Sequence, residues 1–294
     1  MYTGGGAEDV VCRCGRAMCF RCGDEAHKPA SCAEVASWRE REKDDSVTEL
    51  WLSWNTKKCP KCPLRIDRGL GDNHMVCRCR HEFCFICLEP WAPGHRYGCS
   101  KRKPAVKSAD DEAKEAELKV YLFYNERFHA QRDAVRAIHL LDAEVTAEWA
   151  KLLAVRRGDG ATHDALTTTL RDAMEVVKRG RRVAGWAYVH AFYIPAASVA
   201  YRTLFEDSQT MLERHLENLH ERCVPSALRR LTEGLTRDHG SGVAAVEEWR
   251  RAVAQYAGAT DKFLGNLLRG VDDGFGMREG PAEAAARGGA GAPS

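Results

Sequence analysis

The sequence predicts two unlike halves: small metal-stabilised modules of short β-hairpins and loops, followed by an all-α helical bundle. Two observations predict it. Twelve of the thirteen cysteines lie in the first hundred residues, at spacings that repeat. From about residue 108 onward apolar residues recur at helical intervals, and Cys223 is the one cysteine there.

The cysteine half comes first. The phrase Cys12, Cys14, Cys19, Cys22 returns as Cys77, Cys79, Cys84, Cys87. Each copy is followed by a histidine and a cysteine, His27 and Cys32, then His95 and Cys99. Short spacings of thiolates with a histidine let several donors reach one ion, which is the demand of tetrahedral zinc. A repeated ligand frame predicts two copies of one module. In the second copy Cys59 and Cys62 form a C-x2-C pair that Cys77 and Cys79 can close, leaving Cys84, Cys87, His95 and Cys99 as another set. Spacing leaves sequential and interleaved pairing open. In the first copy Cys19, Cys22, His27 and Cys32 make one set, and Cys12 and Cys14 are orphan ligands. By the repeat their C-x2-C partners would stand before residue 1, so the chain reads as N-terminally truncated or misassigned at its start. Half a site contributes little folding free energy, so the first 18 residues are expected to be poorly ordered. His81 lies between ligand cysteines and reads as a solvated loop residue.

A connector follows the first module. Ser46 and Glu49 form a capping box, and Val47, Leu50, Trp51 and Trp54 share one face of a short helix. That stripe is expected to pack on its neighbours rather than dock a partner.

In the helical half, Leu118, Tyr121 and Leu122 open one stretch, and Ile138, Leu141, Val145, Trp149 and Leu152 continue it. Gly158-Asp159-Gly160 breaks the run. The next helix carries Leu166, Leu170, Met174 and Val177 and runs to about Tyr193, before Pro195. Further helices are expected over 200–220 and 241–270. The Ala/Gly-rich end is expected to be disordered.

Charge and hydropathy exclude some functions. A formal net charge of +2 gives no strong preference for polyanions. The run Lys178, Arg179, Arg181, Arg182 reads as a solvated helix face, which leaves nucleic-acid binding a remote alternative. No apolar run reaches the roughly 18 residues of a membrane helix, and no signal pattern opens the chain, so no membrane is expected. Reduced, metal-held cysteines then imply the cytoplasm or the nucleus.

Three groups of motifs carry a family resemblance. Cys-Pro-Lys-Cys at 59–62, Asn73-His74-Met75, Glu82-Phe83-Cys84-Phe85-Ile86-Cys87 and Pro90-Trp91 resemble the last zinc domain of RING-between-RING ubiquitin ligases. The first module resembles their in-between-RING domain. Tyr121-Leu122-Phe123-Tyr124, Ala191-Phe192-Tyr193 and Phe205-Glu206-Asp207-Ser208-Gln209 resemble the helical domain of the Ariadne subfamily. The resemblance implies a partial in-between-RING domain at 1–35, a helical linker at 36–58, a RING-like catalytic-type domain at 59–103, an Ariadne-type domain at 106–272 and a disordered tail at 273–294. It implies zinc as cofactor. It also implies ubiquitin and a ubiquitin-conjugating enzyme as partners, the latter weakened without the first RING, with a cullin-RING complex as a further candidate.

The resemblance further implies transfer through a cysteine thioester, with a nearby histidine as general base. The family's nucleophile lies in a Gly-Gly-Cys-Asn-His segment. Here the segment is Leu70-Gly71-Asp72-Asn73-His74, so Asp72 stands at the nucleophile's place and His74 at the base's. An aspartate cannot form a thioester and suits a turn beside glycine. Two readings follow: a ligase family member deficient in transfer, or a non-catalytic zinc scaffold that binds ubiquitin or a cullin-RING complex. Phe205 and Glu206 match positions where the family's helical domain contacts its catalytic domain, or else pack as ordinary helix residues.

Overall fold

A computed structural model of the chain describes residues 9–12, 16–43, 56–67, 73–92, 95, 99 and 109–276. The connector stripe (Val47, Leu50, Trp51, Trp54) with its capping box, Cys14, Asp72 and the Ala/Gly-rich end lie outside the described residues. The chain divides into two compact units, Met1–Val35 with Phe123–Ser294, and Ala36–Leu122.

Among the described residues the cysteine half holds three antiparallel hairpins with strands of three residues. β1 (Asp9–Val11) pairs with β2 (Ala17–Cys19), β3 (Thr56–Lys58) with β4 (Arg65–Asp67), and β5 (His74–Val76) with β6 (Glu82–Cys84). The first and third hairpins are one structure written twice. Asp9 faces Cys19 as His74 faces Cys84, and Val11 faces Ala17 as Val76 faces Glu82, a constant offset of 65 residues. The backbone follows the same offset. Cys12 N donates to Arg16 O at 2.8 Å and Cys77 N to His81 O at 2.9 Å. Cys19 N donates to Asp24 O at 2.8 Å and Cys84 N to Glu89 O at 2.9 Å.

The expected lack of order over the first 18 residues is corrected at β1 and β2. The Asp9 carboxylate reaches across the module and accepts from His27 N at 3.1 Å and Lys28 N at 3.3 Å. These two bonds tie β1 to the loop that carries His27.

Helix α1 (Cys32–Lys43) starts in a capping box. Ser31 N donates to Glu34 Oε2 at 2.7 Å, and Glu34 N donates to Ser31 Oγ at 3.2 Å. Within the smaller unit, Trp38 of α1 is fully buried and packs on Tyr121 with ring centroids 5.0 Å apart.

The helical half holds five further helices among the described residues: α2 (Ala109–Arg156), α3 (Gly160–Tyr193), α4 (Val199–His220), α5 (Pro225–Arg237) and α6 (His239–Asp272). The two stretches read from 118 and 138 are one continuous helix of 48 residues. It ends where Arg157 turns left-handed, φ +48°, ahead of the predicted Gly158–Gly160 break. Asp159 then caps α3, its carboxylate accepting from Thr162 N at 2.8 Å. The first turn of α5 begins at Pro225, where a missing N–H costs nothing.

Leu152, Leu166, Val177, Leu219, Leu228, Leu235, Val246 and Val253 are buried in one apolar core of this half. Trp149 and Trp249 meet there with ring centroids 5.5 Å apart. Helix α3 crosses α4 at Gly180, where a Cβ would overlap the Leu216 side chain. Arg202 of α4 stops α3 by donating to the carbonyls of Ala191 and Ile194.

Three of the four cations in the basic run on α3 are paired within the helical half. Lys178 meets Asp142 at 3.6 Å, Arg179 pairs with Asp261, and buried Arg181 holds Glu217 at 2.8 Å and the Gln131 side-chain carbonyl at 3.1 Å. Phe205 is wholly buried in the helical core beside His190 and stacked on Tyr201, while Glu206 accepts from the Tyr124 hydroxyl at 3.4 Å.

Candidate metal centres and the His74 site

Among the described residues three groups of donors converge: Cys19, Cys22, His27, Cys32; Cys59, Cys62, Cys77, Cys79; and Cys84, Cys87, His95, Cys99. In each, the donor atoms lie within 4.8 Å of one another. The second and third groups are sequential, which closes the alternative of interleaved pairing. Cys12 is exposed and, among the described residues, joins none of them.

The distances inside each group fit a zinc ion. Bonds of about 2.3 Å at tetrahedral angles place two sulfurs about 3.8 Å apart, and a sulfur and an imidazole nitrogen slightly closer. Cys19 and Cys32 Sγ lie 3.8 Å apart, Cys59 and Cys79 Sγ 3.8 Å, and Cys62 and Cys77 Sγ 3.5 Å. His27 Nε2 stands 3.4 Å from Cys22 Sγ and 3.6 Å from Cys32 Sγ, and His95 Nε2 stands 3.3 Å from Cys87 Sγ. The His27 ring is oriented from behind, with Nδ1 2.8 Å from Ala30 O, so that the Nε2 lone pair faces the sulfurs.

The thiols themselves call for a cation. Burial raises the pKa of Cys19, but the N–H groups of Cys22 and Arg21 outweigh it and bring the thiol down to about 7. Burial and the bonds to Cys19 and Cys22 push Cys32 up to about 12. In the next group burial likewise opposes, and the Lys61 and Cys62 N–H groups override, leaving Cys59 at about 7. Cys77 goes up to about 12: the Cys79 N–H works to lower it, and burial with the bonds to Cys62, Cys79 and Cys59 prevails. Thiols this close cannot all ionise on their own, and a divalent ion relieves that repulsion by replacing the shared protons. Each hairpin turn and knuckle therefore presents a set of donors that zinc completes.

His74 lies on β5 beside the third group. Its ring stacks on Trp91 with centroids 4.3 Å apart, and Nε2 is 2.9 Å from Glu82 Oε2. Trp91 in turn stacks on His95 at 5.5 Å. Glu82 was quoted in the sequence only as part of a motif. The strand register could have found its contact, since Val76 faces Glu82 and residues two apart across an antiparallel pair are diagonal neighbours. His81 is half-buried, stacked on Phe83 at 5.9 Å, and is no member of the donor groups. Cys223, in the helical core, has its thiol raised to about 12 by burial and is inert as a nucleophile.

A repeated zinc-knuckle hairpin joined to a long-helix domain defines the class, and comparison with known proteins narrows it. Residues 54–101 match the IBR domain. This match falls on the second module, whose ligand frame the first module shares, so it marks the module type. The chain is 33% identical to "Probable E3 ubiquitin-protein ligase rbrA" of Dictyostelium discoideum over 291 residues, 91% of this chain and 52% of that protein. It is 34% identical to "E3 ubiquitin-protein ligase dbl4" of Schizosaccharomyces pombe, covering 73% of this chain and 42% of that one. It is 35% identical to "E3 ubiquitin-protein ligase ARIH1" of Homo sapiens, covering 72% and 38%. The chain thus spans about half or less of the length of these curated relatives. With its repeated zinc frame and helical half, it belongs to the Ariadne-type RING-between-RING family.

Proposed function

We propose that this chain works in ubiquitin transfer as its relatives' names describe, but holds rather than passes ubiquitin. The supporting observation is the segment Leu70-Gly71-Asp72-Asn73-His74 beside an ordered His74, Glu82 and Trp91. Glu82 and Trp91 hold the ring of a general base for an attacking lysine, and the residue that would carry the thioester beside it is an aspartate. Thioester formation needs sulfur to attack the ubiquitin carbonyl and expel the conjugating enzyme's thiolate, and Asp72 has no sulfur. Cys19, Cys22, His27 and Cys32 bind one zinc, Cys59, Cys62, Cys77 and Cys79 a second, and Cys84, Cys87, His95 and Cys99 a third. When bound, these ions supply folding free energy and no chemistry. Cys12 and Cys14 repeat the spacing of Cys77 and Cys79 and are orphan ligands on this reading. The binding partners on this reading are ubiquitin, a ubiquitin-conjugating enzyme and a cullin-RING complex, met in the cytoplasm or nucleus.

The test uses ubiquitin carrying a thiol-reactive electrophile at its C-terminus, together with a ubiquitin-charged conjugating enzyme. The wild-type chain is expected to form neither a thiol-sensitive thioester from the charged enzyme nor an electrophile adduct at residue 72, and Asp72→Cys to gain either, with discharge of its thioester to lysine slowed by His74→Ala. A thiol-sensitive adduct on the wild-type chain would overturn the transfer-deficient reading. Failure of Asp72→Cys to react with either reagent would remove the assignment of residue 72 as the nucleophile's position.

A further inference from the structure

The first module is joined to the helices at its own metal ligand. His27 is completely buried, and its ring meets Trp186 of α3 edge-on at 6.0 Å. Trp186 packs in turn at 4.9 Å against Phe128 of α2, the two rings tilted by 56°. Around this contact, Glu25 pairs with Arg132 of α2 at 3.1 Å and Lys28 with Asp272 at the end of α6 at 2.8 Å. Glu34, two residues beyond Cys32, accepts from His190 of α3 at 3.1 Å, and the other nitrogen of that ring meets the Tyr201 hydroxyl of α4 at 3.0 Å. One small module thus touches three helices, α2, α3 and α6, and reaches α4 only through the His190 ring.

The module has almost no core of its own. Among the described residues between Asp9 and Ser31 the buried apolar ones are Cys19, Ala26 and Ala30, one of them a zinc-type donor. Strands of three residues and two alanines cannot hold a fold together in water, so the shape that presents His27, Glu25, Lys28 and Glu34 depends on the ion. Surface ion pairs contribute little each, so the docked position also depends on the module being preformed.

We propose that the zinc of Cys19, Cys22, His27 and Cys32 is a structural clasp of the helical unit. Its loss frees residues 9–35 from α2, α3 and α6 and uncovers Trp186. Coupling of this kind is reciprocal, so the helices must in turn raise the zinc affinity of this site alone. The inference rests on the ligand assignment proposed above, and the test separates the two.

In the full-length chain, Cys22→Ser and Cys87→Ser are compared by zinc content, by the midpoint of helix melting, and by tryptophan emission against a Trp186→Phe background. Cys22→Ser is expected to lose one zinc, lower the helical midpoint by about 5 °C or more and change the Trp186 part of the emission. Cys87→Ser is expected to lose one zinc and move neither. In a second arm, Arg132→Ala with Asp272→Asn touches no ligand and is expected to release one zinc to a chelator about tenfold more readily, leaving the rest unchanged. If Cys22→Ser loses its zinc while melting and Trp186 stay put, the clasp is overturned and the ligand set stands. If Cys22→Ser keeps every zinc, the ligand set falls and the clasp with it. Unchanged zinc release in the second arm overturns the clasp even if Cys22→Ser fails to fold.

Discussion

The hairpins around Cys19 and around Cys84 share one backbone at an offset of 65 residues, yet they hold different residues at equivalent places. Asp9 stands where His74 stands, Met18 where Phe83 stands, and Gly23 where Leu88 stands. Phe20 is 76% exposed, whereas its counterpart Phe85 is half-buried beneath the Lys57 amine, 5.1 Å from the ring centre, which the β3–β4 hairpin supplies. Ligand spacing therefore dictates the path of the chain, and the residues between ligands decide what each copy does. The first copy points its polar residues at its own loop and at helices. The second uses the same strand position to hold an imidazole against a carboxylate.

The largest expected effect treats both copies alike. Chelation of zinc should abolish the ordered cysteine half altogether, with three zinc ions per chain released, because neither copy has a core without metal. Atomic emission on the chain before and after chelation checks the count, and disulfides in place of zinc would break the comparison at its root.

The next effect separates the copies. Phe83 is fully buried against Cys59, Cys77 and Ile66, so Phe83→Ala should cost about 3–5 kcal/mol. Met18, only half-buried, should cost about 1 kcal/mol on replacement by alanine. Zinc-loaded chains compared by denaturant unfolding would show the asymmetry, and equal costs would deny it. Smaller again is Asp9→Ala, which strips acceptors from the His27 and Lys28 N–H groups and should cost about 1–2 kcal/mol. The matching His74→Ala removes a solvent-exposed pair with Glu82 and should cost no more than about 1 kcal/mol.

Much of this was legible because zinc ligation is a short-range code. Spacing alone named the twelve donors that converge, and Gly158–Gly160 marked the break before α3. The misses share a physical cause, long-range partners. The continuity of α2 was hidden because its apolar stripe lapses near Gln131, a buried polar position whose amide donates to Glu213 at 3.0 Å and whose carbonyl accepts from Arg181. Helix α5 was passed over because it is a single short amphipathic segment whose Leu228 and Leu235 become core only against neighbouring helices. The order of β1 depended on Asp9 finding N–H groups 18 and 19 residues away.

The smallest effect tests the backbone frame itself. In both knuckles the residue after the C-x2-C pair turns left-handed and donates back to the first ligand: Gly23 N to Cys19 O at 2.9 Å with φ +77°, Leu88 N to Cys84 O at 2.8 Å with φ +64°. Glycine adopts that region freely, whereas a residue with a Cβ pays about 1–2 kcal/mol. Leu88 is 38% exposed, so little packing offsets the strain. Leu88→Gly should therefore stabilise the zinc-loaded second module, by somewhat less than about 1 kcal/mol because glycine also loosens the unfolded chain. Gly23→Leu should destabilise the first by a similar or larger amount. Opposite signs at these two positions, read by unfolding at fixed zinc concentration, are what one frame used twice requires, and matching signs would mean that the two knuckles are not the same structure.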